Sequence, residues 1–484
     1  MGSILKLFLS GLISLAIFTS INLPQSVALG QASAIAQVAP RSSSSGNSQE
    51  TFDGRQLYRK AFEALRDYHV TLTDTARRNE WKKIWENKFD NSGELDTPPG
   101  TDRAIGEMVH SLGQRFDYYL DESRTASMKE EESGQFVGIG VSIRPVTRGS
   151  MTISKENPIL FAEVFEEGPA YESGLRNGDT LRAIDGKSPN GLSLAELVKL
   201  LRGKPGSTVK LAIERAGPTD PSILEFSVTR RVVETTVVLF KDMGDGVSYI
   251  RLSNFTAITV PEKMREALTR AAAGRSLILD LRNNPGGRID YAYSIATMLM
   301  HEGEIVEVLQ RDGDSQALTS ISLLRRMIVE EQHLPDGTTR NYRVYGRGQQ
   351  ALIPRDMPVV VLVNTLSASA SELLSGALQS SRRATVVGEP TVGKGVGQVV
   401  VPLPFKRTIN VTTLEFRPNG RKIDWTGIIP DVPESSTDNG KDVQLEKALS
   451  TAKGLATKQE TQTKKATQIE QEHRRSFEMK GTDK

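Results

Sequence analysis

The 484-residue chain contains no cysteine, which excludes disulfides, thiolate nucleophiles and cysteine-ligated zinc. Histidine is scarce: the five are scattered at His69, His110, His301, His333 and His473. No HExxH or His-x-His spacing occurs, which argues against a metal site. A surplus of charge is missing too, with 61 basic residues against 59 acidic ones. Without a basic excess or a basic stripe, the chain does not read as a nucleic-acid binder. Beyond the N-terminus no apolar run is long enough to span a bilayer.

What is present begins at that N-terminus. Lys6 is the only charge before an apolar, small-residue run from Leu7 to Leu23. Ala32-Ser33-Ala34 or Ala34-Ile35-Ala36 then offers a cleavage site, so residues 1–36 read as a secretory signal. An uncleaved anchor is the competing reading; the run is about 17 residues, the short limit for spanning. Either way the remainder is exported, to a periplasm by default or to a thylakoid lumen.

Composition divides the rest. Residues 37–51, with Ser42-Ser43-Ser44-Ser45-Gly46, are a flexible linker. Residues 52–134 are helical in pattern, with Leu57, Ala61, Leu65 and Tyr68 at helical spacing, and predict a small helical domain. Residues 135–231 carry short β-type runs separated by glycine turns and one amphipathic helix, Ser193 to Leu201. Strands and helices alternate over 232–450, where Leu277 to Leu281 and Val359 to Val363 read as buried strands. Residues 451–484 are polar and predict a frayed helix or a disordered tail. The fold class is mixed α/β (α+β): a helical N-terminal domain, a small β-domain and an α/β core.

Only one nucleophile and base suggest themselves. Ser369, in Ser367-Ala368-Ser369-Ala370-Ser371-Glu372, stands between a buried strand and a helix. Lys394 lies on a Gly393-Lys394-Gly395 loop after another apolar run. A serine hydroxyl needs a base within hydrogen-bond reach, and lysine serves only when burial keeps it neutral. Gln398, four residues on, is placed to orient the amine. The Ala370 N–H, at the helix start, is an oxyanion donor, and the Asp280-Leu281-Arg282-Asn283-Asn284-Pro285-Gly286-Gly287 turn is a source of a second. Bland readings compete. Ser369-x-x-Glu372 is a helix capping box, and Lys394 alone reads as a solvated loop lysine. Gly388-x-x-x-x-Gly393-Lys394 also matches most of a phosphate loop. However, Gly395 replaces its Ser/Thr, and a β-like run follows instead of a helix.

Two resemblances emerge from these motifs together. Gly168-Pro169-Ala170, Ser173-Gly174-Leu175, Gly178-Asp179-Thr180-Leu181 and Ile184-Asp185-Gly186 resemble a PDZ domain. In it, Phe136-Val137-Gly138-Ile139-Gly140 is similar to the carboxylate-binding loop, a turn whose successive N–H groups suit an anion. Following that module, the serine run, the Gly-Lys-Gly loop, Gln398, the 280–287 turn and Gly427-Ile428-Ile429-Pro430-Asp431-Val432 appear in order. Together, from about residue 52 to 450, they resemble the carboxyl-terminal processing peptidases, or tail-specific proteases. That resemblance implies a Ser369 nucleophile, a Lys394 base positioned by Gln398, and oxyanion amides at Ala370 and one of Gly286 or Gly287. It implies a PDZ domain that takes apolar free C-termini of protein or peptide substrates, with Arg202 in gating. Arg202 reads equally as a cation closing a helix C-terminus. No metal or cofactor is implied. The chain departs from the family at Leu366, where glycine is usual; a left-handed backbone there would be strained. A non-catalytic PDZ-based binding protein on the same scaffold is the alternative function.

Overall fold

The computed structural model describes residues 51–481, apart from short segments at 134, 147–152, 166–167, 218–219, 235, 313–314, 325–326, 335, 348–350 and 436–440. The expected signal segment, and nearly all of the linker, lie outside the described residues. Among the described residues no helix is long and apolar enough to cross a membrane.

The Asp53 carboxylate accepts the Gln56 N–H at 2.9 Å and starts α1 (Gly54–Tyr68). Asp74 caps α2 (Thr75–Trp85) in the same way. Thr97 caps α3 (Pro98–His110), whose two leading prolines fall where no intrahelical donor is needed. Leu57, Phe62, Trp81, Trp85, Ile105 and Met108 bury one face of each helix in a common core. Leu403, Ile409 and Val411, some three hundred residues away in the chain, complete that core. The helices therefore do not close on themselves as the sequence suggested. One compact unit joins the chain up to Ser127 with the chain from Val238 onward, and Met128–Val237 form a second. The first unit also contains β1 (Tyr118–Leu120), and α4 (Glu122–Ser133) runs across the boundary.

In the second unit, β2 (Gln135–Gly138) pairs with β8 (Arg231–Glu234). An antiparallel sheet orders β3 (Val141–Pro145), β4 (Ile159–Val164), β5 (Thr180–Ile184), β6 (Thr208–Arg215) and β7 (Ser222–Thr229). A short α5 (Pro169–Glu172) and α6 (Leu194–Leu201) complete it, the latter opened by a Ser193–Glu196 capping box. Ile139, Phe161, Leu181, Leu197, Leu201 and Ile213 form its core. β3 is an edge strand. The run expected at Gly138 to Ile143 is broken at Gly140, whose φ is +79°, into β2 and β3.

The remainder of the first unit is built on two sheets. β9 (Val238–Asp242), β10 (Val247–Leu252), β11 (Ser276–Asp280), β16 (Val359–Val363), β17 (Thr385–Gly388) and β20 (Val432–Pro433) lie in the order β20-β17-β16-β11-β10-β9. Every neighbouring pair is parallel except β9–β10. α7 (Val260–Ala271), α8 (Ile289–Leu299) and α9 (Ala370–Ser380) make the crossovers. Tyr249, Ile278, Val360, Leu362 and Val387 face Ala448 and Ala452 of α10 (Val443–Gly481). Strand residues of the opposite parity, Leu277, Leu279 and Val361, are buried as well, as a parallel sheet covered on both faces requires. The tail expected to fray from 451 is thus helical to Gly481, and its first turns belong to the core.

The second sheet is antiparallel: β12 (Gly303–Asp312), β13 (Ser315–Leu324), β14 (Met327–His333), β15 (Thr339–Arg347), β18 (Val396–Leu403) and β19 (Arg407–Arg417), with β1 at one end. The β12–β15 meander is absent from the expected α/β alternation. Its strands pair with sequence neighbours and interrupt the crossover pattern between α8 and β16.

Candidate active site

Three turns leave the carboxyl ends of three adjacent parallel strands: 281–287 after β11, 364–369 after β16 and 389–395 after β17. Ligand sites in open α/β sheets lie at these ends. Ser369 occupies the second turn, immediately before α9, and is 5% exposed. Its backbone is at φ 55°, ψ −114°, a strained conformation for a residue with a Cβ. Ordinary N-cap residues sit in the β region, so a capping role alone does not account for this geometry.

Glu372 holds the strain in place. Its fully buried carboxylate accepts four donors. Oε2 takes the Ser369 N–H at 2.7 Å and the Lys394 N–H at 2.8 Å. Oε1 takes the Gly393 N–H at 2.6 Å and the Thr391 hydroxyl at 2.5 Å. The residue read from sequence as a reciprocal cap is also the anchor of the lysine loop. The amide pair at 393–394, which a phosphate loop would offer to an anion, is filled by this carboxylate, and β18 follows in place of a helix.

Lys394 is half-buried, and its Nζ lies 4.8 Å from the centroid of the Phe116 ring. Burial pushes its amine below the ordinary lysine range; Glu372 and Asp117 oppose that shift, and Arg115 adds to it. Glu372 joins the backbone N–H groups of Ser369 and Lys394, while the Ser369 hydroxyl and the Lys394 amine make no hydrogen bond to each other. Apo geometries of catalytic pairs are often long in this way. Gln398 follows a bulge in β18 and donates to Thr412 Oγ1 at 3.3 Å. It makes no hydrogen bond to Lys394, contrary to the direct contact expected from the sequence.

The 280–287 turn is knitted to the serine segment. The Asn283 N–H donates to Asn364 Oδ1 at 2.9 Å, and Asn364 Nδ2 returns a bond to Asn283 Oδ1 at 2.9 Å. The Ser367 hydroxyl donates to the Leu281 carbonyl and the Ser371 hydroxyl to the Asn284 carbonyl, at 2.8 and 3.0 Å. A Cβ on Gly286 would lie 2.8 Å from Ser369 Cβ, so only glycine permits this approach. Of the two oxyanion candidates in this turn, the Gly286 N–H is already bonded to Asn284 Oδ1 at 2.9 Å. Among the described residues the N–H groups of Gly287 and Ala370 donate to no protein atom, and Ala370 follows the serine directly.

Leu366 does not adopt a left-handed backbone, so the strain foreseen there does not arise; its side chain is 60% exposed. In the second unit, the carbonyls of Ile139 and Gly140 accept the N–H groups of Ala170 and Phe165 at 2.8 and 3.0 Å, which fixes the glycine loop before the edge strand β3. Phe136 and Val137 lie in β2, and Gly138 ends it. Arg202 closes α6, its N–H bonded to the Val198 carbonyl. Among the described residues no group of three His, Asp or Glu side chains gathers as metal ligands.

A strained serine at a strand-to-helix turn, a buried lysine loop beside it and a separate peptide-binding module define a PDZ-bearing serine peptidase. Residues 246–434 match the model of peptidase family S41, and residues 161–215 match that of a PDZ domain. A carboxyl-terminal-processing protease of Synechocystis sp. is 32% identical over 368 residues, covering 72% of this chain and 76% of that one. A carboxy-terminal-processing protease of Bartonella bacilliformis is 29% identical over 401 residues, covering 82% and 78%. A solved structure from Bacteroides fragilis, described as an S41 protease, has a TM-score of 0.53 at 16% identity over 82% of this chain and 97% of that one, a likeness of fold. The chain belongs to the carboxyl-terminal-processing proteases of peptidase family S41.

Proposed function

We propose that this peptidase is an exported endopeptidase that works by a Ser369–Lys394 dyad and selects substrates by an apolar free C-terminus. The observation that carries the dyad is the Glu372 carboxylate, which holds the backbone N–H groups of Ser369 and Lys394 on a single oxygen. Ser369 Oγ forms the bond to the substrate carbonyl carbon while its proton passes to the neutral Lys394 Nζ. The oxyanion is received by the Ala370 N–H and the Gly287 N–H, the donor of the glycine pair that is not already bonded. Lys394 then gives the proton to the leaving amine as the C–N bond breaks, and water resolves the acyl-enzyme. Gln398 acts on the base through its strand and its bond to Thr412.

The peptide tail is taken by the PDZ module. Phe136-Val137-Gly138-Ile139-Gly140 precedes an edge strand, and α6 shares a core with that strand, so an extended peptide adds to β3. Arg202 stands at the end of the same helix as the candidate gating residue. We propose the boundaries 1–36, 37–51, 52–134, 135–231, 232–450 and 451–484 as segments of the chain, with the helical segment and the start of the tail packed into the cores of the α/β segment. The apolar N-terminal run supports export, to a periplasm or a thylakoid lumen.

The test is cleavage of a model protein with an apolar C-terminus by the full chain, by Ser369→Ala and by Lys394→Ala. Loss in both variants, with slower cleavage of a C-terminally amidated substrate, supports dyad and tail recognition together. Tail binding without cleavage by the wild type would favour the binding-protein reading instead.

A further inference from the structure

We infer that the Arg115-Phe116-Asp117 segment, which follows α3 in the N-terminal helical region, is the element that positions Lys394 as the base. This rests on the dyad reading above and adds three residues to it. They are consecutive, and each meets a different part of the lysine's surroundings.

Arg115 brackets the lysine loop. Its Nη2 donates to the Gly393 carbonyl, which also accepts the Trp425 N–H at 3.0 Å. Its guanidinium lies 3.9 Å from the Trp425 ring centroid and 3.7 Å from Asp424 Oδ1, and that oxygen accepts the Gly395 N–H at 3.4 Å. Both glycines that flank Lys394 are thereby tied to one arginine and its ion-pair partner. Phe116 supplies the wall over the amine, 4.8 Å from Nζ to the ring centroid. An aromatic face removes water from the amine yet still favours the ammonium formed when the base takes a proton.

Asp117 works on the far side. Its Oδ1 accepts both the N–H and the hydroxyl of Thr412, at 2.7 and 2.6 Å. Thr412 Oγ1 is the acceptor for Gln398 Nε2. Asp117 Oδ2 is 2.6 Å from His69 Nε2, and His69 Nδ1 accepts the Thr71 N–H at 3.2 Å. That acceptance leaves the proton on Nε2, donated to Asp117. The path His69–Asp117–Thr412–Gln398 reaches from α1's end to the strand beside the base; His69, Thr412 and the Asp117 side chain are buried, and Gln398 is half-buried. The charged groups facing Lys394 are Glu372, Arg115 and Asp117, with Asp424 next to Arg115.

A positive charge at 115 disfavours the ammonium, whereas the ring at 116 favours it, so their removal acts in opposite directions. The experiment is the pH dependence of kcat/KM for the full chain and for Arg115→Met, Arg115→Lys, Phe116→Leu and Phe116→Tyr. Melting temperatures report folding. Arg115→Met is expected to move the acid limb up by about one pH unit, roughly tenfold less activity at neutral pH that recovers in alkali. Arg115→Lys retains the limb near the wild-type position. Phe116→Leu moves it down by about half a unit, and Phe116→Tyr restores it. Uniform loss at every pH, or an unmoved limb in both Arg115→Met and Phe116→Leu, would overturn the proposal. Should Arg115→Met fail to fold, the Phe116 pair decides alone. Undiminished cleavage by Lys394→Ala would instead remove the dyad on which the inference stands.

Discussion

Oε2 of Glu372 accepts the backbone N–H of Lys394 at 2.8 Å while it holds that of Ser369 at 2.7 Å. One oxygen thus links the two segments that carry the proposed nucleophile and base. An isosteric Glu372→Gln replaces one acceptor with a donor facing N–H groups. We expect activity to fall by about 100-fold, the cost of displacing a reacting group by roughly 1 Å. Glu372→Ala strands four donors at about 1–3 kcal/mol each where they stay dry, and should lower the denaturant midpoint strongly. Equilibrium unfolding beside kcat separates the two; a Gln variant with wild-type turnover would contradict this account.

Lys394 makes stability depend on pH. Its folded pKa is depressed by burial. Below that pKa both states carry the ammonium, and the folded chain bears the full cost of burying it. Between it and the unfolded value of about 10.4, the unfolded chain binds more protons, so stability rises with pH. Lys394→Met is therefore expected to melt higher than wild type at neutral pH, with the difference closing toward pH 10. Melting curves across that range check the sign.

Gly286 is a steric gauge for Ser369, the proposed nucleophile. An added Cβ would stand 2.7 Å from the Ala368 carbonyl oxygen and 2.8 Å from Ser369 Cβ, at a φ of +94°. Gly286→Ala should cost about 1–3 kcal/mol from backbone strain and displace the serine. Labelling of Ser369 by a serine-directed phosphonate should slow in proportion; unchanged labelling would show that the turn yields instead.

Leu366 is exposed and unstrained. Leu366→Gly is expected to change unfolding free energy by no more than about 1 kcal/mol. Any kinetic effect should appear in KM, since only the side chain is lost, and the Leu366 N–H keeps its bond to Asn364 Oδ1. A large fall in kcat with KM constant would refute that.

The two ends of α10 should behave differently. Ala448, Ala452 and Ala456 are buried, whereas residues from Lys458 to Glu470 are largely exposed. Removing 465–484 should leave the melting temperature within a few degrees. Removing 443–484 uncovers Ile278, Val360, Leu362 and Val387 and should yield insoluble protein.

Much of this was legible because it is local. A continuous apolar run before Ser369 and an S-x-x-E after it determine a strand, a turn and a helix. Gly393-Lys394-Gly395 after the next apolar run marks the second loop, and the periodic glycines of 168–186 mark the PDZ module. What was missed is long-range. Three of the four donors on Glu372 come from residues 391–394, so its local pattern shows only the cap. Arg115, Phe116 and Asp117 reach partners nearly three hundred residues onward, and their run carries no recurring spacing. The β12–β15 meander was missed because its polar strands resemble loops once alternation of strand and helix is assumed. The helical region looked self-contained because Leu403, Ile409 and Val411, which finish its core, are remote in the chain.

The separation of the three turns on β11, β16 and β17 also governs timing. No contiguous stretch of this chain holds Ser369 beside Lys394, the proposed nucleophile and base, and the wall over Lys394 comes from a segment synthesised long before it. On the proposed dyad, a nascent or unfolded chain would be inert toward peptide bonds, its own included. With the proposed dyad, activity would arise only once the parallel sheet has zipped and the helical region has docked on β18 and β19.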